Sequence, residues 1–240
     1  NAYRGQAARD GSGGISPRWL AEGANISLAR LGVDHIDLYY IHRPDPSVAW
    51  EDVVAAFGEL IAAGKIRYWG LSDVRAWHIA EIVHLCRQMN VAPPVALQPY
   101  YNLMNRQPEV ELLPAARHFG LGAVPYSPLA RGVLSGKYAP GAEPPEGSRA
   151  ARGDQRMLNS EWRPESLEIA QTLKAHAETR GSTLIDFALA WVLNNRAVTS
   201  VIAGPRTFDQ WIRYVDALKY KWTADDEKLA DSLVRTGHPS

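Results

Sequence analysis

Short apolar runs alternate with amphipathic stretches along the first half of the chain. The apolar runs begin near residues 36, 66, 95 and 121, so they recur at roughly 26 to 30 residues, the length of one strand–helix–strand unit. Between them, apolar side chains recur at helical spacing. The pattern therefore predicts strands over 36–41, 66–71, 95–100 and 121–126 in a parallel sheet, separated by helices over 53–61, 74–89 and 109–119.

The rest of the chain is less regular. Glycines make the first fifteen residues loop-like, and Ser16-Pro17 then predicts the start of a helix that ends at Gly32. A segment rich in Pro and Gly, from about 130 to 164, predicts a long loop of the kind that covers a binding site. After it, the pattern predicts one further strand over 199–203 and helices over 165–178, 184–194, 208–218 and 224–234.

Strands that alternate with helices leave two architectures open, a doubly wound sheet and a (β/α)8 barrel. The nucleotide-binding form of the open sheet carries G-x-G-x-x-G after its first strand. The nearest match, Gly11-Ser12-Gly13, has Ser16 at the last position and no strand before it. We therefore predict an α/β protein of the (β/α)8 TIM barrel type. Five strands make about five βα units, which is an incomplete barrel, in a single domain over residues 1–240.

Composition and charge narrow the classes of function. The 240 residues carry 26 basic and 26 acidic side chains, and this zero balance argues against a nucleic-acid-binding or polybasic membrane-binding protein. The longest apolar run, 184–193, is too short to cross a bilayer. Cys86 is the only cysteine, which excludes a disulfide framework and favours a reducing, cytoplasmic setting. The histidines lack metal-binding spacing, so we expect no metal site.

Polar or charged residues follow every predicted strand, whereas the strands themselves are mostly apolar. These strand ends are His42-Arg43, Ser72-Asp73, Gln98, Tyr126-Ser127 and Gly204 to Thr207. Because parallel α/β proteins bind ligands at the carboxyl ends of their strands, the asymmetry predicts a polar ligand there. Taken alone, His42 is more simply explained as a structural histidine.

The last of these strand ends has the features of a phosphate site. The segment from Thr207 to Gln210 fits a capping box, so a helix begins there with free backbone N–H groups, and Gly204 and Arg206 precede it. An ordinary capped helix beside a surface arginine explains the same residues equally well. The residues alone leave these two alternatives open.

Taken in order, the segments resemble the aldo-keto reductase superfamily. The matching stretches keep the family's order and spacing from about residue 16 to 234, and they are Leu31–Asp45, Gly64–Asp73, Gln98–Leu103, Tyr126–Gly132, Leu134–Tyr138 and Val201–Thr207. Ser72-Asp73, where other branches read Ser-Asn, is similar to a bacterial branch close to the potassium-channel β subunits. The resemblance implies a (β/α)8 barrel that binds NADP(H) and transfers hydride to an aldehyde or ketone.

The resemblance also implies a role for each matching residue. His42 is the histidine of the catalytic tetrad, which orients and polarises the carbonyl of a small-molecule substrate. At the nicotinamide end, the carboxamide is held by Ser72, Asp73 and Gln98, and the ring stacks on Tyr126. The pyrophosphate is lined by Ser127, Leu129, Arg131 and Lys137, and the adenosine end by Gly204, Arg206 and Gln210, with Arg206 as a partner for the 2′-phosphate.

Two departures from the family pattern limit what the resemblance implies. The family's general-acid Tyr, with its Lys and Asp, lies on the first three βα units, and the strand over 36–41 matches the fourth, so we expect those units to be missing from a truncated chain. Without that acid the developing alkoxide is not protonated, so a non-catalytic nucleotide-binding or regulatory protein is the alternative function. Arg213 and Tyr214 also replace a common Glu-Asn pair. The raw edges of an incomplete barrel favour a homo-oligomer.

Overall fold

The computed structural model describes residues 14–237, which form two compact units. The first unit holds residues 14–99 with Leu112–Ala123, and the second holds Tyr100–Glu111 with residues 124–237. The single domain over 1–240 stays a prediction. The predicted Gly-rich loop at the start of the chain lies, up to residue 13, outside the described residues.

Parallel strands and helices alternate through the described part of the first unit. Its elements in chain order are α1 (Pro17–Leu31), β1 (Ile36–Ile41), α2 (Trp50–Ala62), β2 (Ile66–Ser72), α3 (Ala76–Gln88), β3 (Ala96–Gln98), α4 (Leu112–Phe119) and β4 (Gly122–Ala123). The strands are hydrogen-bonded in the order β1-β2-β3-β4, and every pair is parallel. The predicted α/β class with a parallel sheet is confirmed.

The ends of α1 follow from its sequence. The Ser16 hydroxyl accepts a hydrogen bond from the Trp19 N–H at 3.3 Å, and Pro17 occupies the first turn, where its missing N–H is not needed. Gly32 ends the helix with φ of 67°, a left-handed conformation that costs glycine little. The predicted start and stop signals act here as expected.

An aromatic cluster anchors the sheet of the first unit. The Phe57 ring on α2 stacks on Trp69 of β2 with centroids 4.3 Å apart, and Tyr39 of β1 lies 6.1 Å from Phe57. All three side chains are buried, and the Trp69 indole N–H donates to the Ala92 carbonyl at 2.7 Å. This packing holds in place the strand ends that carry the polar residues.

Two strands are shorter than predicted, and proline explains both differences. β3 ends at Gln98, inside the predicted 95–100, because Pro99 has no N–H for the ladder. β4 covers two residues of the predicted 121–126, and Pro125 interrupts it in the same way. The helix predicted over 109–119 begins at Leu112, after a separate 3₁₀ turn at Gln107–Glu109.

Helices dominate the described part of the second unit. They are α5 (Gln155–Ser160), α6 (Pro164–Thr179), α7 (Leu184–Asn194), α8 (Phe208–Asp216) and α9 (Ala224–Leu233), with 3₁₀ segments at Ala130–Ser135 and Ala217–Lys219. A capping box begins α7: the Thr183 hydroxyl accepts from the Asp186 N–H at 3.3 Å, and the Asp186 carboxylate accepts from the Thr183 N–H at 3.0 Å. None of the helices among residues 14–237 is long and apolar enough to cross a membrane.

The prediction of a strand over 199–203 is wrong, because the structure has only an isolated bridge there. Ile202 makes an isolated parallel bridge to Tyr126, in which the Ile202 N–H donates to the Pro125 carbonyl at 2.8 Å. Pro125 offers no N–H to extend the ladder before the bridge, and Ser127, directly after it, has a left-handed backbone with φ of 56° that an extended strand does not adopt.

The prediction of a loop over 130–164 is also partly wrong, because this segment contains short helices. The 3₁₀ segment at Ala130–Ser135 opens it, and α5 lies near its end. Asp154 starts α5 by accepting from the Met157 N–H at 3.1 Å, a cap that the surrounding Pro and Gly residues concealed.

Candidate functional site

In the first unit, the predicted site residues lie at one edge of the sheet. His42 directly follows β1, Ser72 ends β2 and Gln98 ends β3. The register pairs Ile41 with Leu71 and Ser72 with Gln98, so the three polar residues are level across neighbouring strands. This is the edge at which parallel α/β proteins bind ligands.

The residues at the end of β2 are held in defined positions. Ser72 is buried, and its hydroxyl donates to the Gln98 carbonyl at 2.9 Å, which ties the ends of β2 and β3 together. Asp73 is exposed and has φ of 54°, a left-handed backbone that is uncommon for a residue other than glycine. Such strained turns occur preferentially at ligand sites.

The second unit contains a cavity of about 340 Å³, which we call the cationic pocket. The structure brings together here all eight of the cofactor residues that the resemblance places in this unit. They are Tyr126, Ser127, Leu129, Arg131, Lys137, Gly204, Arg206 and Gln210. Arg213 and Tyr214, the two departures from the family pattern, line the same cavity.

The lining of the cationic pocket is strongly positive. Five of its residues are cations, and none of the residues described as lining it is Asp or Glu; the cations are Arg131, Lys137, Arg149, Arg206 and Arg213. Because the whole chain carries no net charge, this excess of positive charge is a local property of the cavity. A concave surface of one charge focuses the electrostatic field, and here it favours an anionic ligand.

The loop that follows Tyr126 has an unusual backbone. Ser127, Ala130 and Arg131 have φ of 56°, 46° and 53°, and Gly132 follows with φ of 110°. Left-handed backbone at three residues with side chains persists only where surrounding contacts hold it, and it is frequent at ligand-binding loops.

Buried hydrogen bonds hold this loop in place. Asn102 is completely buried, and its amide nitrogen donates to the Ser127 carbonyl at 3.1 Å while its amide oxygen accepts from the Met104 N–H at 2.9 Å. The Ser135 hydroxyl donates to the Gly132 carbonyl at 2.6 Å. The loop is therefore preorganised, and ligand binding costs little conformational entropy for ordering it.

Aromatic rings contact the cations of the loop. The Arg131 guanidinium carbon lies 5.8 Å from the centroid of the Tyr100 ring, and that ring lies 5.4 Å from the ring of Tyr126. The Lys137 ammonium nitrogen lies 5.0 Å from the Tyr138 ring. Burial lowers the pKa of Arg131, but a guanidinium stays charged at neutral pH.

The predicted capping box at α8 is only half formed. The Thr207 hydroxyl accepts from the Gln210 N–H at 3.3 Å, as expected for an N-cap. The Gln210 side-chain oxygen, however, accepts from the Arg206 N–H at 2.8 Å instead of from Thr207. The backbone N–H of Arg206 is therefore already bonded within the protein, and Arg206 is one of the residues that line the cationic pocket.

The sequence interpretation missed Arg149. It lies in the Pro- and Gly-rich segment, where no periodicity marks a residue, and its guanidinium is 3.4 Å from the carboxylate of Asp154. Only the fold of this segment brings Arg149 to the cationic pocket. Among residues 14–237, no group of three or more His, Cys, Asp or Glu could hold a metal ion.

Comparison with known proteins gives a consistent picture. The chain matches the aldo/keto reductase family over residues 4–235. It is 38% identical over 227 residues to a Schizosaccharomyces pombe protein named "Putative voltage-gated potassium channel subunit beta", an alignment that covers 92% of this chain and 65% of that protein. It is 36% identical over 206 residues to an Oryza sativa subsp. japonica protein named "Probable voltage-gated potassium channel subunit beta", with 85% of this chain and 63% of the relative covered.

The chain thus spans just under two thirds of the length of these relatives. The family match covers the strand ends of the first unit as well as every residue of the cationic pocket. The chain belongs to the aldo/keto reductase family.

Proposed function

We propose that this protein is an NADP(H)-dependent oxidoreductase that reduces aldehyde or ketone carbonyls to alcohols. The observation that supports the proposal best is the cationic pocket, with five cations and no carboxylate among its described lining residues. NADP(H) carries a pyrophosphate and a 2′-phosphate, and both groups need cationic partners. The donor set therefore fits this cofactor.

The residues of the cationic pocket divide the proposed ligand between them. Arg131 and Lys137 bind the pyrophosphate from the preorganised loop that Ser127 and Leu129 shape. Arg206 pairs with the 2′-phosphate, since a guanidinium can donate two hydrogen bonds to a phosphate. Gly204 and Gln210 hold the adenosine end, and Tyr126 offers a ring face to the nicotinamide.

The strand ends of the first unit have separate proposed roles. Ser72, Asp73 and Gln98 hold the nicotinamide carboxamide. His42 donates a hydrogen bond to the oxygen of the small-molecule carbonyl substrate, which polarises the C=O bond. When bound, NADP(H) supplies the hydride.

A non-catalytic, nucleotide-binding regulatory protein is the second candidate. Both relatives named above are described as potassium-channel β subunits, which favours a regulatory role. The same cationic pocket serves either function, so cofactor binding is common to both and turnover separates them. A cytoplasmic location and a homo-oligomer stay predictions.

Cofactor binding is tested by titration with NADPH while the fluorescence of the eight tryptophans is followed. Arg131→Ala is expected to weaken binding at least about tenfold, because a lost charged hydrogen bond costs roughly 1.5–3 kcal/mol. Arg206→Ala is expected to weaken NADPH binding more than NADH binding, because only NADPH has the 2′-phosphate.

Arg152→Ala is the matched control for these variants, since Arg152 is exposed on the same segment of the chain and does not line the cationic pocket. It should bind NADPH like the wild type. An equal effect of Arg152→Ala and Arg131→Ala would count against cofactor binding in this pocket.

Catalysis is tested by following NADPH oxidation with an aromatic aldehyde, using the protein at its native length. His42→Ala is expected to lower kcat roughly 100-fold, because a positioned hydrogen-bond donor to the carbonyl is lost. His84→Ala, an exposed histidine on α3, should leave the rate unchanged. NADPH binding without turnover in the wild type would instead favour the regulatory protein.

A further inference from the structure

A buried carboxylate faces one of the cations of the cationic pocket. Glu161 directly follows α5 and is only 5% exposed. Its Oε1 lies 3.7 Å from the Nε of Arg131, which is too long for a hydrogen bond. Both atoms are buried, and neither has a hydrogen-bond partner within residues 14–237.

Unpartnered buried polar atoms are rare because each one costs the free energy of its lost hydration. Of the described residues, those with such side-chain atoms also include Tyr100, whose ring lies against the Arg131 guanidinium. The Arg131 guanidinium thus lies close to two other residues that have such an atom, Glu161 and Tyr100. A proton on Glu161 and an anion bound to Arg131 would each provide a partner for one of these atoms.

Few charges act on this carboxyl group. Arg131 faces it from the loop after Tyr126, and Arg163 lies two residues along the chain. Burial raises the pKa of Glu161 to about 7, an effect that Arg163 partly opposes. Besides Glu161, the titratable groups that act on Arg131 are Tyr126, Arg156, Asp154 and Arg149.

The protonation state of Glu161 decides how much of the Arg131 charge is available. An ionised carboxylate at this distance pairs with the guanidinium and offsets its charge. It also repels any phosphate that binds on the other side of Arg131, because both carry negative charge. A neutral carboxyl group leaves the full charge of Arg131 to the ligand.

We propose that Glu161 controls the affinity of the cationic pocket for anions, and that a phosphate-bearing ligand binds with uptake of a proton by the Glu161 carboxylate. The proton comes from solvent and forms an O–H bond on the carboxylate. The Arg131 guanidinium then pairs with the ligand phosphate instead of with the carboxylate. By linkage, the bound anion and the proton favour each other equally. This inference rests on the proposed binding of NADPH to the cationic pocket.

The test is to measure the NADPH affinity of the wild type and of Glu161→Gln from pH 7 to pH 9. A phosphate monoester titrates near pH 6, so the 2′-phosphate stays ionised throughout this range. Wild-type affinity is expected to fall about fivefold as pH rises, because ionised Glu161 competes for Arg131. Glu161→Gln, which has no charge to gain, should change less than about twofold and bind more tightly than the wild type at pH 9.

A matched control removes a carboxylate of the same kind close by. Glu165 is exposed in the first turn of α6, so Glu165→Gln changes the net charge equally but should keep the wild-type pH dependence. Thermal unfolding of each variant verifies that it is folded.

Calorimetry on the wild type alone gives a second readout that needs no variant. Titration with NADPH at pH 7.5 in two buffers of different ionisation enthalpy should show uptake of roughly half a proton. Absence of uptake, or the same pH dependence in Glu161→Gln as in the wild type, would overturn the inference while leaving NADPH binding intact. Failure of the wild type to bind NADPH at any pH would instead overturn the proposed function together with the inference.

Discussion

Asp226 in the second unit shows how one side chain can join several elements. It is fully buried, and its carboxylate accepts hydrogen bonds from His176 at 2.7 Å, from Tyr220 at 3.1 Å, from the Thr223 N–H at 2.8 Å and from the Arg180 guanidinium. Burial alone would raise the pKa of Asp226, but the hydrogen bonds from Arg180 and His176 hold it well below its ordinary value. A capping residue of α9 is therefore also the anchor of α6.

We expect Asp226→Asn to lower the free energy of unfolding by about 2–3 kcal/mol, because charged hydrogen bonds are lost at a buried position. Urea unfolding measures this. Because the folded-state pKa is depressed, the stabilisation is present above the ordinary pKa of an aspartate and is lost as pH falls below it. The variant should therefore lose less stability than the wild type between pH 5 and pH 3.

Asp225→Asn is the control, since the neighbouring Asp225 side chain is 85% exposed. It should change stability by less than about 0.5 kcal/mol. Equal effects of the two substitutions would mean that removal of a negative charge from the start of α9, and not the buried network, sets the stability.

At the scale of elements, the residues at helix ends predicted the bounds of helices well. Ser16 and Gly32 bound α1 as predicted, and α7 spans the predicted 184–194. Strand lengths were less predictable, because a strand extends only as far as its neighbour can pair. β1 matches its predicted range, whereas Pro125 and the left-handed backbone of Ser127 in the partner segment reduce the strand predicted at 199–203 to one bridge.

The capping box of α7 gives a prediction at this scale. Thr183→Ala removes a hydroxyl that accepts from the Asp186 N–H, and it should cost about 1 kcal/mol of unfolding free energy. Thermal or urea unfolding measures the loss. Thr172→Ala, on an exposed position of α6, should be close to neutral because alanine is a better helix former. A neutral Thr183→Ala would show that the packing of α7 alone fixes its start.

At the scale of the whole molecule, charge placement matters more than net charge. The zero balance correctly describes the chain as a whole, but it conceals five cations around one cavity. An anion held by several partly exposed cations is sensitive to ionic strength, since the Debye length is about 10 Å at 0.1 M salt.

We therefore expect NADPH affinity to fall about tenfold between 50 mM and 500 mM NaCl, as screening weakens the attraction of the cationic pocket. Fluorescence titration measures the dependence. Arg206→Ala, which removes one of the cations, should show a shallower dependence on salt than Arg152→Ala, which leaves the cationic pocket complete. A salt-independent affinity would mean that stacking and neutral hydrogen bonds carry the binding.

The linear chain was sufficient to establish the α/β class, the parallel arrangement and the family, because these follow from local periodicity and from motifs in a fixed order. Most of the residues that line the cationic pocket were also singled out from these motifs. The sequence could not predict three features of the structure: the half-formed cap at Gln210, the position of Arg149 in the cationic pocket and the burial of Glu161 against Arg131. Folding alone brings residues that are far apart in sequence close together and removes water from around them. The resulting distances and burial determine how much positive charge the pocket presents to a ligand.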